Sequence, residues 1–188
     1  MKIGLLLILI FSSVHSMAGP IEFTGKLNEN PGVDQDYAAE FEVNLEKAKI
    51  NVIKAFTELE LNLPAKAIFN KARVRKIIRV FNKSKIYWNT QSKKYKYCGD
   101  KSLAYAVPAF GLSEGKIFFC PAIYSQNQDI ITQVLLHEAA HFTFPGNECQ
   151  ASVIEIFALY FSDINYPLKS AYWSKCKLDR VVKKAQRF

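Results

Sequence analysis

Leu135-Leu136-His137-Glu138-Ala139-Ala140-His141-Phe142-Thr143-Phe144-Pro145-Gly146-Asn147-Glu148 is the stretch on which the reading of this chain turns. It contains His137-Glu138-x-x-His141, and four residues make just over one turn of α-helix, so both imidazoles leave one face toward one point. That spacing suits zinc, which in an open site takes three protein ligands and leaves a fourth position for water. Glu138, one residue after the first His, is placed to act as the base for that water. Pro145-Gly146 ends the helix, and Asn147 can cap a second one with Glu148 in its first turn, where a carboxylate is favoured. The reversal swings Glu148 back toward His137 and His141 as third ligand. The bland alternative is a coincidental His pair beside a favourable N-terminal acid. It is the weaker one, because the chain has three His and the two outside the leader segment both lie in the motif. Without a metal, two buried His and a Glu would carry unsatisfied polar atoms.

Working outward, residues 125–129 supply capping side chains, and 130–142 is apolar nearly all round, as a buried helix should be. Ile130, Val134, His137 and His141 share one stripe, which makes the metal face continuous with the core. Upstream, the runs 86–89, 94–98, 103–107 and 116–120 are short, rich in aromatic and β-branched residues, and separated by Gly and Pro. They predict a small antiparallel sheet, with Ser113-Glu114-Gly115 as a hairpin tip joining the last two strands. Residues 37–61 and 65–81 carry apolar residues at helical spacing among charges and predict two amphipathic helices. Residues 19–36 read as an irregular lead-in, and the basic tail from Lys177 as a solvated helix. The expected class is α+β, helical with a small antiparallel sheet beside the active-site helix.

Residues 1–18 hold Lys2, an apolar run over 3–11 and Ser16-Met17-Ala18, the pattern of a secretory signal. The apolar run is too short to span a bilayer and there is no Cys before Cys98 to take a lipid. Residues 19–188 are then one exported domain, secreted or periplasmic. Loss of Lys2 lowers the net charge from +8 to +7. That balance allows contact with acidic surfaces, but no nucleic-acid motif accompanies it. Four Cys in an exported chain argue for two disulfides, and Cys98 with Cys120 and Cys149 with Cys176 is the favoured pairing because it joins neighbours in sequence. In the rival reading Cys149 is a zinc ligand, but it adjoins Glu148, and only one of the two can face the metal from a helix.

Tyr97-Cys98-Gly99, Ala104-Tyr105-Ala106, Lys116-Ile117-Phe118-Phe119-Cys120-Pro121 and residues 133–143 together resemble the aspzincin metallopeptidases, which include the deuterolysins and peptidyl-Lys metalloendopeptidases. The similarity covers roughly residues 80–175 and is weak in the two N-terminal helices. It implies a zincin-like fold, a secreted zinc endopeptidase, a disulfide between Cys98 and Cys120, ligands at His137 and His141, and Glu138 as base. The family's third ligand is an Asp in Gly-Thr-x-x-Asp-x-x-Tyr-Gly; here Glu148 stands at that place, and Asn147-Glu148-x-x-Ala151 is also similar to the glutamate-type zincins. The family Tyr that steadies the oxyanion is replaced by Ala151, leaving Tyr160, Tyr166 and Tyr172 downstream. Where the Lys-specific branch has a substrate-binding Asp, a loose alignment places Lys169, so Lys specificity is not expected. Zinc peptidases commonly hold substrate on a strand edge beside the metal, and the strands at 103–107 and 116–120 are the candidates. Glu155, seven residues past Glu148 on the same helix face, is the candidate to orient a ligand from behind, with Asp163 a weaker one.

The expected function is hydrolysis of protein or peptide substrates by a monomer with one Zn2+ per chain held by His137, His141 and Glu148. Two alternatives are a zinc amidase acting on cell-wall peptides and a catalytically weak, zinc-containing binding module.

Overall fold

The structure is a computed structural model, described here for residues 23–24, 35–63, 69–88, 98, 102–108, 114–164 and 172–187. In chain order it comprises β1 (Phe23–Thr24), α1 (Gln35–Asn62), α2 (Lys71–Phe81), β2 (Lys85–Trp88), β3 (Ala104–Val107), β4 (Lys116–Phe119), α3 (Gln128–Ala140), α4 (Glu148–Phe161) and α5 (Leu178–Ala185). This is an α+β fold. The signal-like residues 1–18, and with them His15, lie outside the described residues.

The 28-residue α1 is the spine. Phe41, Leu45, Ala48, Val52, Ala55, Phe56 and Leu59 recur every three or four residues and are all buried, packing the helix against α2, α3 and α4. In α2, Val74, Ile77 and Phe81 are buried while Arg73, Arg75, Lys76 and Arg79 stay exposed, as the amphipathic pattern requires. The helix begins at Lys71 rather than at Ala65. Asn70 is extended (φ −103°, ψ 160°) and its side chain accepts the Arg73 amide at 3.0 Å. An N-cap of this kind outcompetes a helix running through it. Residues 64–68 lie outside the described residues.

The sheet is mixed rather than antiparallel, with strand order β1-β2-β4-β3. β3 and β4 pair antiparallel, as neighbours across a hairpin should, with Ala106 opposite Ile117. The chain goes out from β2 to the far edge, forms β3 there, and returns as β4 between them, so β4 takes β2's direction and the two pair in parallel. Within the expected irregular lead-in, Phe23–Thr24 instead pairs in parallel with β2. Most of the run expected at 94–98, and Ser113 of the hairpin tip, lie outside the described residues.

On the inner face Ile86, Ile117 and Phe119 are buried, and Phe119 meets Phe41 of α1 edge to face at 6.0 Å. On the outer face Tyr105, Phe118 and Tyr87 stack across three strands at 5.0 Å spacing. Disulfides join Cys98 to Cys120 and Cys149 to Cys176, closing separations of 22 and 27 residues. Each such loop stabilises by roughly 3 kcal/mol in the chain-entropy model. Cys149 is therefore not a metal ligand. Among the described residues no helix is long and apolar enough to cross a membrane.

Candidate metal centre

Asn127 starts α3 by accepting the Ile130 amide at 3.0 Å, with Asp129 in the first turn. Regular helix ends at Ala140, two residues before the expected end, but His141 keeps helical backbone angles (φ −62°, ψ −18°), so the one-turn spacing of the two His survives. The chain then reverses through Gly146, whose φ of +67° is left-handed. Asn147 caps α4 by accepting the Gln150 amide at 3.0 Å, which sets Glu148 at the head of the helix.

Along the stripe of Ile130, Val134, His137 and His141, Val134 packs against the core and His141 is buried, so the metal face is continuous with the core, while Ile130 and His137 are half-buried. Both α4 and β3 contact α3, and beside them lies a space onto which His137, Glu138 and His141 open. That space is a cleft of about 690 Å³, lined by Ser102, residues 104–108, His137, Glu138, His141, Pro145, Gly146, Glu148 and Tyr172.

At its floor three donor atoms converge. His137 Nε2 lies 3.0 Å from Glu148 Oε2, His141 Nε2 lies 3.5 Å from the same oxygen, and the two Nε2 atoms are 3.3 Å apart. Each imidazole is held from behind: His137 Nδ1 is 2.9 Å from Glu155 Oε2, and His141 Nδ1 is 3.1 Å from the Phe144 carbonyl. With their Nδ1 protons donated outward, both rings turn an Nε2 lone pair to the shared point. Two lone pairs and a carboxylate oxygen at these distances need a cation among them, either a proton or a metal ion.

In the metal-free protein a proton on His137 fills that role. Burial by itself lowers its pKa, but hydrogen bonds to Glu148 and Glu155 outweigh burial and push it up to about 10. His141 is lowered, first by burial and then by repulsion from His137. Glu148 is lowered, chiefly by its hydrogen bond to His137. Burial pushes Glu138 up to about 7, against the pull of His137 and of a hydrogen bond from the Ala106 backbone. A carboxyl poised there exchanges protons at neutral pH.

Glu155 is 4% exposed, and Gln133 Nε2 donates to its second oxygen at 2.6 Å, so both oxygens are occupied. Gln133 was not singled out from the sequence, although it lies one helical turn before His137. Also unforeseen is the contact of the Ala106 backbone with Glu138. Cys120 N donates to Leu103 O at 2.8 Å, so alternate peptide groups of β3 face β4 while those of Ala104 and Ala106 face away from it. Among the described residues β3 is an edge strand, and of the two strands proposed to hold substrate it is the one lining the cleft.

Asp163 takes no part. It is exposed beyond the end of α4, roughly 22 Å along the helix from Glu148. Tyr160 packs on Phe161 at that same far end. Tyr166 and Lys169 lie outside the described residues. No protein-family description, curated protein or solved structure matches this chain. What the site can do rests on its own chemistry.

Proposed function

We propose that this protein is an exported zinc endopeptidase with a single zincin-like domain over residues 19–188, a divergent relative of the aspzincins with Glu148 in place of the ligand Asp. The observation that carries the reading is the convergence of His137 Nε2, His141 Nε2 and a Glu148 oxygen within 4.8 Å of one another, with both Nδ1 atoms bonded outward. Two imidazoles and one carboxylate are a donor set that zinc accepts, and three ligands beside an open cleft suit a catalytic site better than a closed structural one. When bound, zinc supplies the Lewis acidity that makes water a nucleophile at neutral pH.

The chain's own residues account for the rest. Glu138 Oε takes the proton of the attacking water and hands it to the leaving amine, a task suited to a carboxyl whose pKa is about 7. Glu155 and the Phe144 carbonyl keep the imidazoles in the ligating tautomer. The outward peptide groups of β3 suit an extended chain laid along the strand, which favours a peptide substrate. Two disulfides agree with export into an oxidising compartment.

The test is metal content and protein cleavage, measured together. Wild type should carry one zinc per chain, Glu148→Ala should lose it, and Glu138→Gln should keep it while cleavage falls roughly 10²–10⁴-fold. A folded wild type without zinc, or a Glu138→Gln variant that cleaves at the wild-type rate, sinks the proposal.

A further inference from the structure

As water adds to a carbonyl in this cleft, negative charge develops on the carbonyl oxygen, and a fixed hydrogen-bond donor for it is often the protein's largest contribution to rate. His137, His141 and Glu148 serve as ligands and Glu138 as base, so the donor must come from elsewhere. Among the described lining residues, Ser102, Tyr105 and Tyr172 carry a side-chain hydroxyl. Tyr105 lies flat on Phe118, with 8° between the rings, on the outer face of the sheet, whereas Ala104 and Ala106 are the β3 residues packed toward the core. Ser102 precedes Ala106, which bonds Glu138, by four residues, roughly 13 Å along an extended strand.

Tyr172 is different. It comes 24 residues after Glu148 and belongs to neither α3, α4 nor β3, yet it lines the same cleft. A covalent link explains its position. Cys176 N donates to the Tyr172 carbonyl at 2.8 Å, closing one turn, and Cys176 is bonded to Cys149, the residue next to Glu148. The far side of that turn is anchored too: Leu178 is buried, and Trp173 Nε1 donates to Asp179 at 2.8 Å. Among the described residues the Tyr172 hydroxyl has no hydrogen-bond partner.

We propose that Tyr172 is a catalytic residue whose hydroxyl hydrogen-bonds the oxygen that gains charge, and that the Cys149–Cys176 disulfide holds it over the ligand Glu148. The inference rests on the hydrolase reading above. It brings the donor from a distant part of the chain, and it makes activity depend on Cys149 and Cys176 staying joined as the disulfide.

The test uses the zinc-loaded mature chain. Tyr172→Phe keeps the ring and should retain zinc, fold and KM, while kcat falls roughly 10²–10³-fold. A second readout needs no turnover: affinity for a phosphinic peptide, whose tetrahedral anion imitates the charged oxygen, should fall at least tenfold in Tyr172→Phe, while affinity for a cleaved product peptide stays unchanged. The paired Cys149→Ser and Cys176→Ser variant, folded by circular dichroism, should lose kcat by a similar factor, and adding Tyr172→Phe to it should cost little more. Wild-type kcat and wild-type phosphinic-peptide affinity in Tyr172→Phe overturn the role of Tyr172. Full kcat in the folded double Ser variant overturns the role of the disulfide. A zinc-loaded wild type that neither cleaves peptides nor binds the phosphinic peptide overturns the hydrolase reading itself, and the Tyr172 proposal with it.

Discussion

Glu155 decides which nitrogen of His137 faces the cleft. Its Oε2 takes Nδ1 at 2.9 Å, which leaves Nε2 for Glu148 and the shared point, and Gln133 steadies its other oxygen. Replacing Glu155 by Gln keeps the shape but removes the charge and gives the side chain a donor of its own, so the ring loses both its anchor and part of its basicity. Zinc affinity should fall roughly 10–100-fold, measured by competition with a chromogenic chelator. An unchanged affinity would mean that packing alone orients His137. Glu155 was legible because its seven-residue distance from Glu148 puts both on one helix face. Gln133 was not, since nothing in a one-turn spacing says which neighbouring helix a side chain meets.

At the scale of elements, the site is a helix, a tight reversal and a second helix, braced from the β4 side. Gly115, just before β4, is the brace point: a Cβ there would sit 2.7 Å from Phe142 Cε1 and 3.0 Å from Val80 Cγ1. Phe142 belongs to the turn immediately after His141, and both neighbours are packed against the core or part of it, so neither can yield freely. Gly115→Ala should cost about 1–3 kcal/mol, read as a shift in the denaturation midpoint. A shift below about 0.5 kcal/mol would show that the Phe142 ring can rotate away. The caps at Asn127 and Asn147 follow from side-chain chemistry adjacent in sequence, and both were legible. The Asn70 cap was missed because the apolar spacing on either side continues through it, and one capping Asn outweighed that periodicity.

For the whole molecule, the charge balance of the metal-free site makes a pH prediction. His137 is raised from 6.5 to about 10, so the folded state holds this proton more tightly than the unfolded chain; the stability it adds is full below pH 6.5 and is lost as pH rises through about 10. Glu138, raised from 4.5 to about 7, loses its contribution earlier, over that lower interval. Glu148 and His141 are lowered from 4.5 and 6.5, and their opposite effects end by those ordinary values. Between pH 7 and about 10, His137 is the group of these four that still titrates. The thermal midpoint of metal-free protein should fall there by at least ~5 °C. The zinc-loaded protein should not follow, because zinc competes with protons for the same nitrogens and gains as they leave. A flat metal-free profile over that window would show that His137 holds no extra proton.

The local parts can be read without the fold: the two His one turn apart, the Glu between them, the break at Pro145-Gly146, the capped helix that opens on Glu148, and the amphipathic α1 and α2. These follow from backbone periodicity and short-range hydrogen bonding, which act over a few residues. Packing of the whole chain settled that β4 runs between β2 and β3 and makes the sheet mixed, that His137, Glu138 and His141 open onto a cleft beside β3, and that Ala106 meets Glu138. It also decided that Tyr172 lines the cleft while Tyr160 packs at the far end of α4. Strand order and the meeting of residues far apart in sequence depend on which buried faces pack together and on where a disulfide closes the chain. Those are energies of the assembled core, and no window of the sequence contains them.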